Sequence, residues 1–331
     1  MIKDQITLEN DLFIEFLANE KEKTAEIIKC KSEKPEIIIP RAIPYKSEEY
    51  IITSIAEESF DDIFLVKSIK FSDDSELSII KKNAFNLCFI ESISIPSKVK
   101  EIQENCMENL SHLSKVTVSP QNPYFSSYED KIVLKKSSSE KVDFDVLFFS
   151  VRQLETVKIP SSVEIIEEKV FSGLINLKTV EFLPDSKIRI IENNAFSFSK
   201  IESITFPPHL TKIGENAFQN CSELRRVEFA SDSELRTIGC GAFSYTAIES
   251  IKIPPHLTKI CEETFSDCSN LKTVEFAENS ELQIIEKCAF FNDAKIESIK
   301  MPVHLTKICE LAFMCCNGLT EIEIPQNSEL R

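Results

Sequence analysis

Apolar residues in this chain fall in a recurring block of the form Leu/Ile-x-x-Ile/Val-x-apolar. A turn follows, and then a second block, Ile-x-x-x-Ala-Phe. The leading position of the first block is filled by Val66, Ile90, Leu113, Leu154, Leu177, Ile201, Leu224, Ile248, Leu271, Ile296 and Leu319. These lie 23 to 25 residues apart, except for one interval of 41 between Leu113 and Leu154. The second block recurs from Ile55–Phe60 to Ile308–Phe313, with one degenerate copy, Ile102–Met107. A period of two predicts a short strand, with Ile251 and Ile253 pointing inward and Ser250 and Lys252 outward. One such strand cannot bury its apolar side alone. Stacked in parallel, many copies make a continuous core, so the repeat decides the fold. Pro207, Pro254 and Pro302 end their strands because proline cannot donate to the ladder. The Ala-Phe block is expected to close the far side through a second short strand or a 3₁₀ turn.

The departures from the repeat predict the remaining parts. Residues 1–35 read as an N-terminal β cap, with strands at Leu12–Leu17 and Ala25–Lys29 around the turn Asn19–Thr24. Glu36–Pro40 resembles a first rung, with Lys34 at the leading position. The long interval, residues 119–150, reads as a β-hairpin insertion with strands at Ile132–Leu134 and Val142–Phe149 around the Lys135–Lys141 loop. The array therefore occupies residues 36–118 and 151–331 as one continuous solenoid. It stops at Arg331 before the closing block of its last rung. An uncovered rung predicts end-to-end self-association.

The unit LxxIxIPxxLxxIgxxAFxxC resembles the leucine-rich repeats of BspA-like proteins, known from bacteria and expanded in some parasitic protists. The resemblance covers about Pro35 to Arg331. It implies a right-handed leucine-rich-repeat solenoid, a horseshoe or superhelix, predominantly β with few or short helices. It also implies a role in surface adhesion and host-protein binding.

Composition narrows the partner. The formal net charge of −16 argues against nucleic acid, which needs a basic face. No apolar run is long enough for membrane insertion. The N-terminal residues show no secretory signal. With only 5 Gly, a glycine-rich phosphate cradle is not expected, and HExxH, GxSxG and P-loop motifs are missing. No catalytic residue, cofactor or metal site is assigned, and a hydrolase is a remote alternative. The partner class is protein.

The 11 Cys read as small buried residues carried round by the repeat. Cys88, Cys221, Cys268 and Cys316 each follow a repeat Phe (Met314 and Cys315 intervene before Cys316). Successive members from Cys221 on are two rungs apart, about 9–10 Å at strand spacing, which is too far for a disulfide. His209, His256 and His304 repeat in the same way, too far apart to share one metal ion. Unpaired thiols suit a reducing compartment, so an intracellular scaffold stands beside the surface role. Weak glycosylation acceptors occur at Asn109 and Asn220.

The outward strand positions carry the most informative pattern. Glu155, Lys178, Glu202, Arg225, Glu249, Lys272 and Glu297 form one column. Lys158, Glu181, Thr205, Glu228, Lys252, Glu275 and Lys300 form another. Arg226 stands among small hydroxyl residues between them. Both columns largely alternate in sign, so opposite charges should face each other on neighbouring rungs. This strand face is the candidate partner-binding surface.

Overall fold

The computed structural model describes residues 1–8, 11–61, 63–86, 88–107 and 110–331. Asn109, one of the two glycosylation acceptors, lies outside the described residues. The chain forms two compact units, residues 1–144 with 149–153, and residues 145–148 with 154–331. Both are β-solenoid in construction, and no α-helix occurs among the described residues.

The first unit opens with an antiparallel meander of Ile2–Leu8, Leu12–Asn19 and Thr24–Lys31. Alternation in the middle strand buries Leu12, Ile14, Phe16 and Ala18. Ile2–Leu8 was not anticipated because most of it is exposed, which leaves no inward stripe to read. Thr24–Lys31 then pairs in parallel with Glu48–Ile55 and leads into the repeat. Glu36–Ile39, Ser68–Phe71, Ser92–Ile95 and Lys115–Val118 form a ladder of four-residue parallel strands. Ile55, Ile80 and Ile102 sit in a second, shorter ladder.

Beyond this ladder, Ile132–Lys135 pairs antiparallel with Phe125–Tyr128, an additional strand in which only Phe125 is buried. The turn passes through Glu129 and Asp130, both at positive φ, the hand that matches strand twist. Buried Asn122 fixes the approach. Its Nδ2 donates to the carbonyls of Pro96 at 2.8 Å and Val99 at 2.9 Å. Its Oδ1 accepts from the backbone N–H groups of Tyr124 and Phe125.

The second unit repeats the design with higher regularity. Thr156–Ile159, Thr179–Phe182, Ser203–Phe206, Arg226–Phe229, Ser250–Ile253 and Thr273–Phe276 form the long ladder, and Ser298–Lys300 pairs with Glu321–Glu323. The short ladder is built of two-residue strands ending at Ile166, Ile191, Ile213 and Ile238, and again at Ile260, Ile285 and Ile308. Inside, the repeat phenylalanines form one column. Phe171, Phe196, Phe218, Phe243, Phe265, Phe290 and Phe313 stack at centroid distances of 4.9, 5.0, 5.2, 5.7, 5.4 and 5.2 Å. The distance follows from the rung spacing of about 4.8 Å, which sets how far apart equivalent side chains can lie.

The Ala-Phe half is a short strand followed by a tight turn. Two positions in that turn recur with left-handed backbone. One holds Asn194, Asn216, Gly241 and Glu263, and the other Phe198, Asn220, Tyr245 and Asp267. Asparagine and glycine suit this conformation, whereas Phe198 and Tyr245 hold it against their own preference. Asn220, the second glycosylation acceptor, is part-buried within this turn.

Candidate functional site

The candidate surface is the outward side of the long ladder in the second unit. Inward residues such as Val157, Ile204, Ile251 and Val274 are buried, which forces their strand neighbours outward. Glu155, Lys158, Lys178, Glu181, Glu202, Arg225, Arg226, Glu228, Glu249, Lys252, Lys272, Glu275, Glu297 and Lys300 are all exposed.

The first column is held in register by its own backbone. The N–H groups of Lys178, Glu202, Arg225, Glu249 and Lys272 each donate to the carbonyl of the preceding member, at 2.9, 3.1, 3.0, 3.1 and 2.9 Å. In the second column, Lys158 faces Glu181, Thr205 faces Glu228, and Lys252 faces Glu275. Lys158 Nζ lies 3.8 Å from Glu181, Lys300 Nζ lies 2.6 Å from Glu323, and Thr205 Oγ1 donates to Glu228 at 3.2 Å.

The expected mutual pairing is therefore partial. Among the described residues, no ion pair joins the members of the first column to one another. Lys67 and Glu91 at the equivalent place in the first unit do pair, at 2.7 Å. Solvation of exposed ends competes with weak pairing, so the side chains are not committed to their neighbours.

Full and partial strand pairing alternate along this face. Thr156–Ile159 matches Thr179–Phe182 over four residues, but Thr179–Phe182 meets Ser203–Phe206 only at Thr179 and Ser203. The next pair is again complete, and the following junction again holds only Arg226 to Ser250. At the first junction Phe182 and Phe206 stand 6.4 Å apart and tilted, against 5.2 Å and stacked for Phe206 and Phe229. The separation opens a cleft of about 780 Å³ whose lining includes Glu181, Phe182, Thr205, Pro207 and His209. Nothing local in the residues foretells this cleft, because strand residues on both sides of a junction have the same pattern.

The cysteine and histidine columns have structural occupations. The thiols of Cys88, Cys221, Cys268 and Cys316 donate to the carbonyls of Phe60, Phe196, Phe243 and Phe290, each on the preceding rung. Burial pushes the Cys221 thiol up to about 11, well away from a reactive thiolate. His209, His256 and His304 each meet a glutamate of the next rung, Glu234, Glu281 and Glu329, at 3.1, 2.9 and 2.9 Å. Sequence reasoning missed these pairs. The signal was present, since the Ser-Glu-Leu tripeptides at Ser233, Ser280 and Ser328 share the histidines' spacing.

Stacked parallel rungs with an apolar interior and a polar strand face define the class as a leucine-rich-repeat solenoid. The BspA type leucine-rich repeat region matches over residues 46–145, 144–239 and 236–330. The chain belongs to the BspA-type leucine-rich repeat family. Among solved structures, it is similar to a leucine-rich repeat protein from Bacteroides ovatus, at 18% identity and a TM-score of 0.61, covering 99% of this chain and 95% of that one. It is also similar to a leucine-rich repeat protein from Eubacterium ventriosum, at 17% identity and a TM-score of 0.62, covering 95% of each. At these identities the likeness concerns the fold. No curated protein matches the chain. Membership of this repeat family points to protein–protein interaction, the use to which extended solenoid surfaces are put.

Proposed function

We propose that this chain is a non-enzymatic protein-binding module whose partner docks on the charged strand face of the second unit. The observation that carries this reading is the first column, Glu155 to Glu297. Its charges alternate in sign, backbone hydrogen bonds from Glu155 through Lys272 fix their spacing, and its side chains are not paired with each other. A partner with a complementary row of charges gains steering and register from such a face. The cleft between Phe182 and Phe206 supplies apolar surface beside it. Adhesion at a cell surface, with a host protein as partner, is the biological setting implied by the resemblance. An intracellular scaffold is the second reading, favoured by the free thiols of all 11 Cys. Antibody labelling of intact against permeabilised cells separates the two settings.

The docking surface is tested by placing a photo-crosslinking residue singly at Glu202, Arg225 and Glu249, and at Glu263 and Asn292 in the Ala-Phe turns. Adducts with one recurring partner at the strand positions, weakened by added salt, are expected. Equal labelling at the turn positions, or none at the strand positions, contradicts the proposal.

A further inference from the structure

We propose that Cys240, Cys261 and Glu286 form a binding site for a thiophilic divalent metal ion, Zn²⁺ by its chemistry. The two thiol sulfurs and a carboxylate oxygen lie within 4.8 Å of one another. The three residues come from three successive rungs, each close behind a repeat isoleucine, Ile238, Ile260 or Ile285.

The stacking geometry explains how they meet. A Cβ placed on Gly239, just after Ile238, would lie 2.5 Å from the backbone nitrogen of Glu215, which is two after Ile213. The side chain following each isoleucine thus lies over the residue two places after the isoleucine of the rung before. By that rule Cys261 covers Cys240, and Glu286 covers Glu262. The second contact is directly visible, since the Glu262 N–H donates to Glu286 Oε2 at 3.1 Å. Cys261 and Glu286 occupy equivalent positions on paired strands, because Ile260 is in register with Ile285. The short ladder is interrupted between Thr237–Ile238 and Lys259–Ile260, the two rungs that carry the cysteines.

The donor set fits the ion. Two thiolates with one carboxylate select zinc over hard cations such as Mg²⁺ or Ca²⁺. Tetrahedral Zn²⁺ with Zn–S near 2.3 Å needs donors about 3.5–3.8 Å apart, within reach of side-chain rotation from the observed positions. The charge is also suitable. Three anionic ligands exceed the ion's charge by one, and Lys259 Nζ, 3.0 Å from Glu286 Oε1, offsets the surplus. The Glu262 N–H donates to the other carboxylate oxygen and so orients the ligand. Cys261 is buried, Glu286 part-buried and Cys240 exposed, so the site opens to solvent on one side. Three protein ligands leave a fourth position there for water or for a donor from another molecule.

The test titrates the reduced, chelator-treated full chain with Co²⁺ and then with Zn²⁺. One equivalent of Co²⁺ is expected to give thiolate-to-metal charge-transfer bands and tetrahedral ligand-field bands, and Zn²⁺ should abolish both. Cys240→Ser should eliminate the charge-transfer bands while leaving the melting curve of the protein unchanged, since this residue is exposed. Glu286→Gln should weaken Co²⁺ binding by about tenfold or more, and Cys315→Ser, at an exposed cysteine outside the cluster, should bind as wild type. Absence of the bands in the wild type, or their survival in Cys240→Ser, overturns the proposal. So does formation of a Cys240–Cys261 disulfide by added oxidant in a protein whose reduced form gives no cobalt bands; the pair is then a redox couple.

Discussion

Asp293 breaks the rule of its own column. The third position after the repeat Phe is Ser199, Cys221, Thr246, Cys268 and Cys316 on other rungs, all able to donate a hydrogen bond within the stack. Asp293 is fully buried there, and among the described residues neither carboxyl oxygen meets a well-aligned donor. Burial pushes its pKa up to about 8 from an ordinary 3.8 against the opposing pull of the Cys268 backbone N–H, and the nearby Asp267 adds to the rise. The folded protein therefore holds a proton that the unfolded chain has released over this range. The contribution of Asp293 to stability falls as pH rises from about 4 to about 8, and levels off above it. Asp293→Thr, matching Thr246, removes that dependence. Its expected gain is on the order of 1–3 kcal/mol at neutral pH, the size of a buried unsatisfied group, and much less near pH 4. Denaturant unfolding of both proteins across this range checks the sign, and a variant less stable than wild type at pH 8 contradicts it.

At the level of elements, much was legible. Period-two alternation located the long ladder of the second unit, because one side of each strand must be buried. The Ile-x-x-x-Ala-Phe block located the short ladder and its turn. What was not legible has specific causes. Ile2–Leu8 carries few buried side chains, so it leaves little imprint on the sequence. Phe125–Tyr128 is short and buries only Phe125, so it shows no alternation. The histidine–glutamate pairs and the Cys240, Cys261 and Glu286 cluster escaped for another reason. The repeat aligns identical positions into columns, whereas these contacts join different positions on successive rungs. The turns make a separate prediction. Phe198 holds φ at 60° while its side chain is 55% exposed, and Asn occupies the equivalent place at Asn220 and Asn292. A left-handed residue other than Gly or Asn costs about 1–2 kcal/mol. Phe198→Asn should therefore stabilise by about 1 kcal/mol and raise the melting temperature, and a lower melting temperature would show that the ring packs usefully where it is.

For the molecule as a whole, stability and the proposed recognition are divided between two sides of the same strands. The inward side holds apolar residues and the phenylalanine column, and it sets the rung spacing. The outward side inherits that spacing and displays charge upon it. Both halves of this division follow from one repeat, which is why the binding surface could be proposed from sequence while its partner could not. Glu202→Lys, Arg225→Glu, Glu249→Lys and Lys272→Glu, made together, invert four successive charges of the first column. Net charge is unchanged, and alternation within the four is kept, so melting should stay close to wild type. The decisive measurement is the affinity of this fourfold variant for the partner recovered by crosslinking. A loss of at least about tenfold, or 1.4 kcal/mol, is expected, with the melting temperature preserved. Unchanged affinity in the folded variant would contradict it and move the binding surface elsewhere on the solenoid.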